Sequence, residues 1–243
     1  MINIVIPMAG RGSRFAEAGY RNPKPLIDIF GHPMIEYVTK NITPEKEHKL
    51  IYICQKEHMD KYKLADKLWR MSPGCEIITI DYVTEGAACT VLLAEKYIDN
   101  EDELMIANSD QFVNIDINVY LRVIGENDGL IMTMPAGDPK WSYIKYDTKG
   151  YVKAVREKEV ISNEATVGIY NYKHGRDFVM FAHQMIEKDI RVNNEFYVAP
   201  VYNEMIEAGR KIVYHNVGKH MFGLGTPGDL EFFMQQKISK MIF

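Results

Sequence analysis

The chain begins MINIVIPMAGRGSRF, and this opening limits the fold more than any other stretch. Ile4-Val5-Ile6 is a short apolar run that reads as a buried strand, and Gly10-Arg11-Gly12-Ser13-Arg14 reads as the loop leaving it. Glycines at such a place let the main chain come close to a partner: a dinucleotide, the phosphates of a nucleoside triphosphate, or the next helix. A dinucleotide fingerprint needs G-x-G-x-x-G with an acidic residue about 20 residues on. Here Phe15 stands at the third position, and Asp28 follows NPKPL, which cannot be the helix of a βαβ unit. Two readings stay open. The loop is either a helix-capping turn with solvated charges, or an anion nest. In the nest, Arg11, Arg14, Arg21 and Lys24 would join N–H groups freed by Gly10 and Gly12.

At 243 residues the chain can bury a substantial core. Apolar residues make up 47% and charged residues 26%, an ordinary globular balance that argues against long disorder. A net charge of −4 gives no general reason to expect nucleic acid or an anionic membrane, so a polyanionic ligand would need a local cationic cluster. Cys54, Cys75 and Cys89 stand in neither a paired nor a metal-ligand spacing, and read as buried, reduced thiols of a soluble cytoplasmic protein.

Short β-rich runs alternate with helical patterns, which predicts a mostly parallel sheet covered by helices. Strands are expected over Asn3–Met8, from Leu50, over Ile77–Tyr82 and over Glu103–Ala107. Helices are expected from His32 (with Pro33 near the first turn), over Glu57–Arg70, and through AACTVLLAEKYI. Then GLIMTMP, YIKYDTKGYVKAV and ATVGIYNY give closely spaced strands with a turn at Thr148-Lys149-Gly150. Helices near 174–188 and 202–208 and the strand KIVYHNV follow. The last helix opens Thr226-Pro227-Gly228-Asp229, an N-cap hydroxyl, proline at the first helical position and an acid in the first turn.

IPMAGRGSRF followed by NPKPLIDIFGHPMIEYV resembles the amino-terminal signature of the sugar-phosphate nucleotidyltransferases, or NDP-sugar pyrophosphorylases. That family has an A-G-x-G-x-R loop and a K-P-L segment at this spacing. The resemblance implies an α/β fold, a three-layer α/β/α Rossmann-like mixed sheet of the nucleotide-diphospho-sugar transferase type. It implies a single domain over 1–243, with a nucleotide-binding half to about 125 and an acceptor-binding half with a closing helix from about 126. The loop (Met8, Ala9, Gly10, Gly12, Ser13) would wrap the triphosphate of an NTP. Arg14 would hold the departing pyrophosphate, and Lys24 would contact the phosphates.

Later patches carry the resemblance further. Thr84, Gly86 and Ala87 match a segment that holds the nucleobase, although Ala87 replaces its usual Thr. Asp110, at the carboxyl end of a strand where open α/β sheets bind ligands, matches a magnesium-binding Asp. Glu157 and Lys158 stand in a strand–turn–strand that contacts the acceptor, with Trp141-Ser142 in place of Tyr-Gly, and Thr166 lies in the A-N-x-G-I-Y match. Two departures stand out. Gly223 occupies the place of a second metal-binding Asp, and Ala199-Pro200 that of Thr-Asp.

The expected activity is Mg²⁺-dependent transfer of a nucleotidyl group from an NTP to a sugar 1-phosphate, giving an NDP-sugar for polysaccharide synthesis, and pyrophosphate. Alternatives are a phosphorylated non-sugar acceptor, a glycosyltransferase of the related fold (which would want an Asp where Asn108 stands) and a non-catalytic nucleotide-binding subunit. Neither nucleic acid nor a membrane is an expected partner, and a homo-oligomer stays open.

Overall fold

The computed structural model describes residues 1–10 and 12–243; Arg11, counted above with the possible anion nest, lies outside the described residues. Nine strands form one mixed sheet: β1 (Ile2–Pro7), β2 (His48–Gln55), β3 (Glu76–Ile80), β4 (Glu103–Ala107), β5 (Gly129–Pro135), β6 (Ser142–Tyr146), β7 (Val152–Glu157), β8 (Glu164–Tyr172) and β9 (Ile212–Asn216). The path runs β3-β2-β1-β4-β8-β5-β9, and β6 joins β8 where Ala165 faces Tyr143, with β7 paired on β6. The first four strands run parallel and β8 runs against both β4 and β5, so the sheet continues unbroken from one half of the chain into the other.

Each face of the sheet is covered. Along β1, Ile2, Ile4 and Ile6 enter one apolar cluster together with Tyr37 and Val38 of the helix Met34–Ile42. Val5 enters the other, with Val91 and with Phe178 of the helix Gly175–Glu187. Period-two alternation in a strand buried on both sides produces these two clusters, and with them the three-layer α/β/α architecture.

Several elements differ from the sequence expectation. The helix expected over Glu57–Arg70 is two, Lys56–Tyr62 and Leu64–Met71, broken at Lys63 with φ 50°. The second piece buries Leu64 and Leu68, and the first packs the partly buried Met59 and Tyr62 against the same apolar cluster. AACTVLLAEKYI likewise divides into Ala87–Leu92 and Glu95–Ile98. The helix expected from His32 starts at Met34 with Pro33 as its N-cap, because His32 and Pro33 pair with Ile29 and Asp28 in a short hairpin. Cys54 and Cys75 are buried free thiols, raised by burial to about 12 and about 11, whereas Cys89 is only half-buried. No helix among the described residues is long and apolar enough to cross a membrane.

Strand β7 lies at an edge of the sheet, and edge strands leave backbone groups without partners. The Asn203 carboxamide fills one such pair: Val155 N–H donates to Oδ1 at 2.8 Å, and Nδ2 donates to the Val155 carbonyl at 2.9 Å. This two-point clamp fixes β7, and thus Glu157 at its end, on the helix Val201–Glu207. Asn203→Ala removes both bonds and should cost about 1–3 kcal/mol in urea unfolding; an unchanged midpoint and slope would show that the clamp carries no stability.

Candidate active site

The site forms at the carboxyl ends of β1 and β4, whose parallel register sets Ile2 opposite Glu103 and Val5 opposite Ile106. The loops after these two strands therefore leave the sheet side by side, at the edge where open α/β sheets place their ligands. After β1 the chain is anchored by Met8 N–H to the Ile53 carbonyl, 2.9 Å, and by Gln55 Nε2 donating to the Ala9 carbonyl, 2.7 Å. Gln55 Nε2 also reaches the Tyr82 carbonyl at 3.1 Å, tying together the two loops that flank the cleft.

Gly12 then takes φ 62°, left-handed backbone that glycine adopts at no steric cost, and caps the helix Ser13–Glu17. A Cβ on Gly12 would stand 3.3 Å from the Lys24 Cβ, so the close approach that the glycines permit is to the lysine of NPKPL. Lys24 in turn donates from Nζ to Asp110 Oδ2 at 2.9 Å, and both side chains are mostly shielded from solvent. The glycine loop, the K-P-L turn and the end of β4 thus meet in one ion pair. Arg14 and Ser13 sit exposed on the first helix, outside the walls of the cleft, and Met8 is buried in the core.

A cavity of about 320 Å³ lies over this pair, walled by Ala9, Gly10, Lys24 and Asp110 on one side and by Thr84, Gly86 and Ala87 on the other. Thr84 Oγ1 is 2.6 Å from Thr90 Oγ1 and donates to the Gly86 carbonyl at 3.0 Å, closing the turn. Gly86, at φ 134°, has no room for a side chain, since a Cβ would overlap the Phe196 carbonyl and come 2.5 Å from its nitrogen. Phe196 N–H donates to the Glu85 carbonyl (2.8 Å) and the Ala88 N–H to that of Phe196 (3.0 Å). This strap brings Glu195 to the cavity wall.

A second cavity, about 190 Å³, adjoins the first and shares Ala87 and Asn108 with it. Trp141, Ser142, Glu157, Thr166 and Tyr197 line it. The Ser142 hydroxyl donates to Glu157, and Thr166 Oγ1 lies 2.9 Å from the Tyr170 hydroxyl. Burial pushes the Glu157 carboxyl above its ordinary 4.5, and Ser142 and Lys158 only partly offset this. Burial, together with the Glu195 and Glu157 carboxylates, pushes the Tyr197 phenol up. Lys158 stands just outside the cavity at φ 57° with Nζ 2.6 Å from the Tyr197 hydroxyl.

Glu195 and Asn108 are among the wall residues that sequence reasoning missed. Glu195 lies inside NNEFYVAPVYN, a segment read only for the Ala199-Pro200 departure, and Asn108 was weighed only as a missing first Asp. No signal in the sequence alone ties Glu195 to this cavity, because the strap that delivers it runs through backbone hydrogen bonds.

Magnesium prefers one or two carboxylates together with phosphate oxygens and waters. Asp110 offers one carboxylate, and Gly225 leaves its face open, since a Cβ there would come 3.0 Å from Oδ2. A Cβ on Gly223 would instead meet the Asp229 carboxyl at 3.5–3.6 Å. That carboxyl already accepts from Thr226 Oγ1 at 2.7 Å in the capping turn of the helix Pro227–Met234. No group of three or more His, Cys, Asp or Glu among the described residues could cage an ion. The donors fit an ion that arrives with phosphate and water as most of its shell.

Known proteins agree with this architecture. The chain is 26% identical over 186 residues to the bifunctional protein GlmU of Methanococcus maripaludis, covering 71% of this chain and 40% of that protein. Against the UTP–glucose-1-phosphate uridylyltransferase YngB of Bacillus subtilis the identity is 23% over 201 residues, 68% of this chain and 67% of the relative. The chain spans 28% and 40% of the lengths of the GlmU relatives it matches in Methanocaldococcus jannaschii and M. maripaludis. A solved nucleoside-diphosphate-sugar pyrophosphorylase from Vibrio cholerae superposes with a TM-score of 0.85 at 26% identity, covering 96% of this chain and all of that one. Residues 4–221 match the nucleotidyl transferase family model, and on that match, laid over a sheet and cleft of this form, the chain belongs to the nucleotidyl transferase family.

Proposed function

We propose that this protein transfers a nucleotidyl group from an NTP to a sugar 1-phosphate, releasing pyrophosphate. The observation that carries the reading is the pair of adjoining cavities. One is built from the glycine loop, Lys24 and Asp110, and the other from Trp141, Glu157 and Thr166. Two ligands seated there would have their phosphates at the shared wall, and family membership makes nucleotidyl transfer the chemistry to expect.

The reaction joins an acceptor phosphate oxygen to the α-phosphorus while the bond from that phosphorus to pyrophosphate breaks. The attacking oxygen is already anionic near neutral pH, a phosphate monoester having its second pKa near 6, so no side chain need remove a proton. The work left to the protein is alignment and charge compensation. Main-chain groups of Met8, Ala9, Gly10, Gly12 and Ser13 are assigned to the triphosphate, and Thr84, Gly86 and Ala87 to the base. Lys24 would move its charge from Asp110 to a phosphate as the nucleotide enters. Arg14, on the short helix beside the glycine loop, would reach the departing pyrophosphate. Trp141 would cover an apolar sugar face, with Glu157 and Thr166 accepting from its hydroxyls and Lys158 near its phosphate. Magnesium, when bound, would be held by Asp110 and would neutralise phosphate charge.

A screen of NTPs against sugar 1-phosphates and phosphorylated non-sugars, with magnesium present, tests the reading through pyrophosphate release. Release with a sugar 1-phosphate is the expected result. Release only with a non-sugar phosphate would replace the acceptor, and silence with intact NTP binding would favour a non-catalytic nucleotide-binding role. In an active protein Arg14→Ala or Asp110→Asn should lower kcat/KM by about 100-fold or more, the scale of a lost charge-stabilising group; near-parental rates would remove these residues from the mechanism.

The half-buried Glu157 gives a second test, through stability. Its folded pKa is raised, so the fold holds this proton more tightly than the unfolded chain does. The stability it contributes is full below the unfolded value near 4.5 and is lost as pH rises through the folded one. Glu157→Gln, which is never ionised, should therefore melt above the parent at pH 8, with the gap closing toward pH 4, while acceptor affinity falls. A gap that is constant with pH would mean that Glu157 does not titrate between the two states.

A further inference from the structure

We infer that Asn108 contacts the acceptor, its side-chain amide donating a hydrogen bond to the acceptor phosphate where the two cavities meet. This rests on the nucleotidyl-transfer reading of the same site. Among the described residues two line both cavities, Ala87 and Asn108, and of these Asn108 alone carries polar side-chain atoms. It directly follows β4, its side chain is exposed, and it stands two residues before Asp110.

The carboxamide is held in place by a neighbour that gives up its own side chain. Asn108 N–H donates to the Gly168 carbonyl at 2.9 Å, across the β4–β8 pairing. Gly168 has φ 81°, and a Cβ there would overlap Asn108 Nδ2 while standing 2.6 Å from Gln111 Oε1 and 2.8 Å from Asn108 Cγ. The space that a side chain at 168 would need is thus the space the Asn108 amide occupies.

Charge explains why an amide belongs at this point. Asp110 and Glu195 face the first cavity and Glu157 faces the second, while Lys24 is paired with Asp110, Lys140 in the second wall is 3.6 Å from Asp138, and Lys158 is turned to Tyr197. An acceptor phosphate approaching an α-phosphate would pass between carboxylates. A neutral donor supplies a hydrogen bond there without adding negative charge, and one to a charged acceptor group is among the stronger kinds. Aspartate has nearly the same shape as asparagine, but it lacks the donor and repels the phosphate. The pair Asn108→Ala and Asn108→Asp therefore separates a donating role from simple filling of space.

The test measures kcat/KM for the acceptor and the dissociation constant for NTP in the two variants, with melting temperatures to confirm folding. Calorimetric titration of inorganic phosphate into NTP-saturated protein is run beside it, as a readout that needs no turnover. Expected are acceptor kcat/KM values about 10- to 100-fold down in both variants, the Asp variant at least as impaired as the Ala variant, and phosphate binding weakened in parallel. NTP affinity should stay within about threefold, since losing one hydrogen bond to the acceptor leaves the nucleotide contacts in place. An active parent with an Asn108→Asp variant of parental acceptor kcat/KM would overturn the inference, as would equal losses in NTP and acceptor binding. A parent that releases no pyrophosphate, yet whose phosphate binding Asn108→Asp weakens, would overturn the transfer reading and leave the role of Asn108 standing.

Discussion

Parallel pairing of β1 with β4 is the constraint on which the site rests. β1 is hydrogen-bonded on both edges and buried on both faces, so its register is set by its neighbours and by apolar clusters above and below. A slip of one residue would exchange the two faces and bury the wrong set of side chains. Because the register holds, the loop carrying Gly10 and Gly12 and the turn carrying Asp110 emerge together. Lys24, pressed against Gly12, can then close the ion pair between them. The same edge receives the turn at Thr84–Gly86 through Gln55 and the strap through Phe196, so five segments of chain converge on one cleft.

The sheet was largely legible in the sequence, and for one physical reason. Strands buried on both faces must be continuous apolar runs, and Ile4-Val5-Ile6, LIYICQ and ELMIA are such runs. The capping turn at Thr226 was equally visible, because a hydroxyl, a proline and an acid at fixed spacing are all local signals. What was not legible depends on partners distant in sequence. The short ladder of Gln111–Val113 with Met221–Gly223 joins segments about a hundred residues apart, and neither carries a strand pattern of its own. The break at Lys63 has no proline or glycine to announce it, and the two pieces it joins pack on one apolar cluster.

The candidate site divides in the same way. The glycine loop, Lys24 and Asp110 were nominated from motifs, and the fold places Gly10, Lys24 and Asp110 on one wall. Arg14 and Lys158 were nominated too, and both lie beside the cavities, not in their walls. Asn108 and Glu195 needed the structure, since one is placed by strand pairing and the other by a backbone strap. The glycines at 223 and 225 show why a motif position alone misleads. One faces the capping carboxylate Asp229 and the other faces Asp110, so an aspartate at 223 would begin beside a negative charge already in use.

The clamp of Asn203 on Val155 has a consequence beyond holding Glu157. The outer edge of β7 is where an extended segment of another chain could dock and continue the sheet, the first step of templated aggregation. With the Val155 donor and acceptor both taken by a side chain, an incoming strand would lose its pairing partner in mid-strand. The carboxamide that steadies β7 thereby also ends the sheet, and keeps self-association by strand addition from starting at that edge.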